Sequence, residues 1–349
     1  MIRFHGDGLS LTPAATAELL TRLTAESDFA ADTYSRGGVV EQLESRAAHF
    51  LGKERAVFMP TGTLANHLAV RALCAGRGQR VLVQAESHLA NDAGDCAQML
   101  SGLNLIPLAP GRSCFTAIEI ETVLARARSG RVATEVGALS LETPVRRLDN
   151  AAVLLAELEE VLAPARAAGI GLHLDGARLP LYAAHLGVAP HEVADLFDTV
   201  YLSLYKCFSA PAGAILAGPA ELIDELYHAR RMFGGGLSEA WPMAAIALHH
   251  FDDFVEISER VLQTAEDLWA RLAEDKRCLV TRVSQGTNVF RLRLAEGNAD
   301  AWREKLLALG VELPTPEAAS GEFVCKMNPT WQDTTGDELA TILLGALDA

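Results

Sequence analysis

From about residue 55 to residue 218, short apolar runs alternate with longer amphipathic ones. That alternation leaves few folds open. Arg55–Met59, Arg80–Ala85, Leu103–Ala109, Val136–Glu142 and Thr199–Tyr205 have the length and apolar content of buried strands. Leu64–Ala75, Ala117–Ser129 and Ala151–Ala168 repeat their apolar residues at helical spacing. Strands separated by helices of this length predict an α/β unit with a mostly parallel, doubly wound sheet. Gly213–Gly218 is one more apolar run, and its pattern leaves its direction open.

Open parallel sheets bind ligands beyond the carboxyl ends of their strands. In residues 171–213, Leu172 and Leu174 lead to Asp175, followed by Gly176-Ala177-Arg178. The next apolar strand, Thr199–Tyr205, delivers Lys206, and Cys207 to Gly213 form a small-residue turn. An acid and a lysine at the ends of neighbouring strands face one crevice. Pyridoxal 5'-phosphate uses such a pair: the lysine forms a Schiff base with it, and the acid keeps its ring nitrogen protonated, making the ring an electron sink. The plainer reading is a structural Asp–Lys pair.

Two further turns suit the same ligand. Pro60-Thr61-Gly62-Thr63 joins a strand to a helix, and bare N–H groups there suit a phosphate. Glu86-Ser87-His88 follows another strand, so His88 is either a satisfied polar residue or an aromatic stacked on a cofactor ring.

At the N-terminus, residues 1–14 read as extended and Ala14–Ala25 as helix after Pro13. Beyond residue 250 the pattern changes to short strands and helices: Cys278–Val283, Asn288–Leu294, Ala299–Gly310, Val324–Met327 and Gly336–Leu347. The expected division is a segment 1–30 covering the small domain, a ligand-binding large domain 31–250, and a small α+β domain 251–349. With 349 residues, half of them hydrophobic, the chain can bury both cores.

The formal net charge of −15, with no basic block, speaks against nucleic acid or an anionic membrane as partner. MIRFHGDGLSLTP lacks a basic-then-apolar leader pattern, and no apolar run reaches membrane-spanning length. The six cysteines are scattered without a C-x-x-C pair, so neither zinc nor a disulfide frame is indicated. A reduced, cytoplasmic protein with no metal is the expectation.

Taken together, PTGTLANHLA (60–69), HLDGARL (173–179) and SLYKCFSAPAGAILAG (203–218) resemble the threonine aldolase and aromatic amino acid β-eliminating lyase family. YSRGGVVEQLE (34–44), ESH (86–88) and RRMFGGG (230–236) add to the resemblance, which runs from about residue 4 to 250 with weaker echoes beyond. It implies a fold-type I, aspartate aminotransferase-like architecture, pyridoxal 5'-phosphate as cofactor and an amino acid substrate. Lys206 would be the Schiff-base lysine, Asp175 the pyridinium partner and His88 the stacking ring. Gly62 and Thr63 would hold the phosphate, and Arg178 the cofactor's phenolic oxygen or the substrate carboxylate. A homodimer or homotetramer with shared active sites is also implied.

Several positions depart from the family's pattern. Ser238 stands where an arginine usually follows the glycine triplet, and Val145 where a histidine is thought to assist cleavage. His5-Gly6-Asp7-Gly8 replaces Arg-Ser-Asp-Thr, and 321–326 (GEFVCK) shows no carboxylate-clamping arginine. Arg36, Arg146, Arg147 or Lys326 could restore a lost cation, with Arg36 the first choice for the phosphate or the substrate carboxylate. Cleavage of the Cα–Cβ bond of a β-hydroxy-α-amino acid to glycine and an aldehyde is the leading expectation, with His88 or a water it holds as base. β-Elimination or another reaction of the same cofactor is the alternative, and a cofactor-binding protein without turnover the third.

Overall fold

The computed structural model describes residues 1–27 and 29–348. The strands in chain order are β1 (Ile2–Arg3), β2 (Arg55–Met59), β3 (Arg80–Gln84), β4 (Asn104–Leu108), β5 (Val136–Glu142), β6 (Gly171–Asp175), β7 (Thr199–Ser203), β8 (Ala214–Gly218), β9 (Cys278–Arg282), β10 (Val289–Leu294), β11 (Val311–Glu312) and β12 (Phe323–Lys326). Seven form one sheet in the order β2-β8-β7-β6-β5-β3-β4. From β7 to β4 every pairing is parallel, while β8 runs antiparallel to both β7 and β2.

Strand periodicity sorts the side chains of this sheet. Leu82, Leu139, Leu141, Leu172, Leu174, Val200 and Leu202 point to one face and join the largest apolar cluster. Their neighbours Val81, Val83, Ala138 and Tyr201 point to the other, where helix Gly62–Cys74 supplies Ala65, Leu68, Val70 and Leu73. Burying each Leu or Val contributes roughly 1.5–3 kcal/mol. The helix is capped by Thr61, whose side chain accepts the Leu64 N–H. It sits so close to the sheet that a Cβ on Gly62 would lie 2.0 Å from the Tyr201 hydroxyl. Gly62→Ala would force the helix start away from β7.

The smaller core is built on the antiparallel sheet β12-β10-β9. Helix Phe254–Asp275 links the two cores, with Phe254 in the larger cluster and Val261, Leu268 and Leu272 in the smaller. Segment 1–30 divides between them. β1 pairs in parallel with β11, and Phe4 lies 4.5 Å from Trp331, ring to ring, in the smaller core. Helix Pro13–Glu26, expected to cover the small domain, instead buries Leu19 and Leu23 in the larger core. It packs against helix Trp241–His249.

Two of the boundaries that differ from expectation bear on the site. The helix expected from Ala151 starts at Leu155, because Ala151 bridges to Val145 and Gly286 and the Val153 N–H is taken by Thr143 Oγ1. β7 ends at Ser203, so Lys206 sits in the turn beyond it. Among the described residues, no helix is long and apolar enough to cross a membrane and no cluster of three or more metal-ligating side chains occurs. All six cysteines are free.

Candidate active site

The carboxyl ends of β3, β5, β6 and β7 open into one cavity of about 380 Å³. Its lining includes Asp7, His88, Glu142, Asp175, Arg178 and Lys206. The sheet register explains the meeting: Glu142 pairs with Asp175 across β5 and β6, and Asp175 with Tyr201 across β6 and β7. All three lie on the face covered by helix Gly62–Cys74.

Asp175 is buried and already engaged on its inner side, accepting from Asn66 Nδ2 at 2.5 Å and from the Ala177 N–H at 3.2 Å. Lys206 is half-buried. Burial, followed by the neighbouring Arg178 charge, lowers its pKa against the pull of Asp175, Asp7 and Glu142. A lowered pKa raises the share of neutral amine, the nucleophilic form. The ion pairs around the cavity include Arg178–Asp7, Lys326–Asp7 and the Arg146 and Arg147 pairs with Asp92, and among the described residues none engages Lys206.

Asp7 and Glu142 were given no role by the sequence reading. Asp7 accepts from Arg178 Nε at 2.8 Å, Lys326 Nζ at 2.8 Å and Asn288 Nδ2 at 3.2 Å. Burial would raise its pKa, but the Arg178 and Lys326 charges outweigh that and hold it well below the usual carboxylate range. Glu142 is pushed up to about 7 by burial and by the Asp175 charge beside it. Its two oxygens accept the backbone N–H groups of His88 (2.6 Å) and Arg146 (2.9 Å), so it fixes the start of helix His88–Asn91. His88 borders the cavity, and its Nδ1 is buried without a partner.

The remaining sequence-derived residues fall elsewhere or are committed. Gly62, pressed against Tyr201, and Thr63 fall outside the cavity lining, at the start of their 13-residue helix. The Nε of Arg178 is held by Asp7. Arg146 and Arg147 share Asp92, while Val145 is fully buried in the core. Arg36 lies in another cavity, of about 540 Å³, with its guanidinium 4.6 Å from the Tyr227 ring centre.

These residues fit pyridoxal 5'-phosphate. An amine with lowered pKa, a buried carboxylate that borders the cavity and an imidazole with an orphaned nitrogen converge on one cavity. A helix start pressed against the sheet by Gly62 lies behind it.

Residues 10–295 match the family described as beta-eliminating lyase. The low specificity L-threonine aldolase of Escherichia coli K12 is 29% identical over 283 residues, spanning 80% of this chain and 82% of that protein. A candidate aromatic amino acid beta-eliminating lyase/threonine aldolase from Exiguobacterium sp. 255-15 superposes with a TM-score of 0.81 at 25% identity, over 99% of this chain and 97% of that one. A candidate L-allo-threonine aldolase from Listeria monocytogenes EGD-E gives 0.80 at 26%, over 99% and 95%. Other curated relatives are matched over as little as 57% of their length.

Proposed function

Because the chain belongs to the beta-eliminating lyase family and has the α/β architecture of fold-type I pyridoxal-phosphate enzymes, we propose that it cleaves the Cα–Cβ bond of a β-hydroxy-α-amino acid, giving glycine and an aldehyde. The observation that carries the reading is the convergence of Lys206, Asp175 and His88 on one strand-end cavity.

Pyridoxal 5'-phosphate, once bound, supplies the electron sink for the charge left at Cα. Lys206, whose amine burial holds at a lowered pKa, would be the residue that binds its aldehyde. Asp175, which lines the cavity, would be the partner of the ring nitrogen and would favour a proton there. His88 would stack on the ring, and the N–H groups at the helix start, Gly62 and Thr63, would hold the phosphate. Arg178, oriented by Asp7, would meet the phenolic oxygen or the substrate carboxylate, and Lys326 shares Asp7 with it from β12. The base that takes the β-hydroxyl proton is His88 or a water it holds. Val145 cannot serve, being apolar and fully buried.

That same Val145 favours a second reading, β-elimination, which needs no proton taken from a β-hydroxyl. Incubating the loaded protein with a panel of β-hydroxy amino acids decides between them. Aldehyde and glycine support aldol cleavage, pyruvate or another 2-oxo acid with ammonia supports elimination, and neither product refutes both.

The assembly is a homodimer or homotetramer in which the Tyr34–Gly38 loop, carrying Arg36, completes a neighbour's site. Arg36 lies outside its own chain's strand-end cavity, which supports this. An active monomer by light scattering at assay concentration excludes it.

A further inference from the structure

Behind Asp175 runs a line of polar groups that no step above uses. Residues two apart on a strand share a face, so the row Glu142–Asp175–Tyr201 has a second row behind it, Ser140–His173–Thr199. Asn66, on the covering helix, joins the two. Its Nδ2 donates to Asp175 Oδ2 at 2.5 Å, and its Oδ1 meets His173 Nε2 at 2.8 Å. His173 Nδ1 in turn meets Thr199 Oγ1 at 2.9 Å. Asn66, His173 and Thr199 are fully buried, so no water reaches the part of the line behind Asp175.

Such a line has two self-consistent polarities. An ionised Asp175 only accepts, which turns the Asn66 amide nitrogen toward it and the amide oxygen toward His173. The His173 ring then carries its proton on Nε2, and Nδ1 accepts from the Thr199 hydroxyl. The reverse order needs a protonated Asp175, a flipped amide, the other tautomer and a rotated hydroxyl together. Any mixture sets two donors or two acceptors face to face in a dry interior. Burial keeps the ring neutral, with its pKa down at about 4.

We propose that Asn66, His173 and Thr199 form a positioning relay that holds Asp175 ionised at the cavity wall. None of the three lines the cavity, so they act through Asp175. The inference rests on the role given to Asp175 above, but the polarity of the relay is a property of the protein without cofactor.

Two measurements test it. In nitrogen-15 correlation spectra of the unloaded protein, His173 carries its proton on Nε2 from about pH 6 to 8. In the loaded protein, Asn66→Leu raises the dissociation constant for pyridoxal 5'-phosphate about tenfold, as loss of one charge-assisted bond predicts. It also lowers kcat with little change in KM and alters the pH dependence of the cofactor's absorption band. Thr199→Val moves the same readouts less, and Thr199→Ser restores them. A proton on Nδ1 overturns the proposal. So do Asn66→Leu and Thr199→Val proteins whose Tm falls while affinity, kcat and spectrum stay at wild-type values. A wild-type protein that binds no pyridoxal 5'-phosphate refutes the proposed function, and the tautomer then decides the relay alone.

Discussion

The strand-end cavity and the C-terminal unit are rich in the same charged residues and treat them oppositely. At the cavity, Arg178 and Asp7 form an ion pair with side chains only 5% and 6% exposed. On the outer surface of the C-terminal unit, Arg271 and Glu274 pair with side chains 54% and 68% exposed. Exposed pairs contribute about 0–1 kcal/mol, whereas removing one partner of a buried pair costs about 3–5 kcal/mol. Burial, not the number of charges, makes the cavity a place where protonation states can be set. The perturbed Lys206, Glu142 and Asp7 all border it.

Lys206→Ala presses hardest on this contrast. Activity falls at least about a thousandfold, as when one member of a cooperating catalytic group is removed. Borohydride reduction of the loaded wild type labels Lys206 and nothing in the variant. A label on another lysine breaks the assignment. Asp7→Ala comes next, because Arg178 and Lys326 are left with no shared counter-charge. The expected loss is about 3–5 kcal/mol in urea unfolding. Acid reads the same group: its folded pKa is depressed, so its contribution is complete above about pH 4 and drains as pH falls below that.

Glu142 has the opposite sign. Its folded pKa is raised from 4.5 to about 7, so across that window the folded state holds a proton the unfolded chain has released. Its contribution to stability therefore falls as pH rises from about 4.5 to 7. Glu142→Gln removes that slope, and urea midpoints at several pH values measure it. An unchanged slope means Glu142 titrates normally. Arg271→Ala gives the smallest effect, a change within about 0.5 kcal/mol. A larger loss would erase the contrast between the two regions.

Much of the large unit is legible in the sequence. Arg55–Met59, Val136–Glu142 and Ala117–Ser129 have the bounds read from it. Their signals are local: apolar runs closed by turns, and a Thr116–Glu119 capping box. The helix starting at Leu155 shows the limit. Residues 151–154 have good helical propensity, but bridges to distant Val145 and Gly286 override it.

The site divides in the same way. Lys206, Asp175 and His88 follow strands in sequence, and strand ends meet by topology alone. Asp7 could not be read that way, since its partners stand at 178, 288 and 326. Glu142 was visible as a strand end, but its perturbation depends on register against Asp175, which spacing does not disclose.

The ties between the two ends of the described chain carry a consequence for biosynthesis. β1 lies against β11, the Phe4 carbonyl receives the Lys326 N–H, and Asp7 waits for Asn288 and Lys326. A ribosome adding about 5–20 residues per second needs roughly 20–60 s to travel from Asp7 to Lys326. All seven strands of the large sheet have left it by then. Asp7 therefore spends that interval without Asn288 and Lys326, and a chain stalled before residue 326 lacks two of the three partners that hold it.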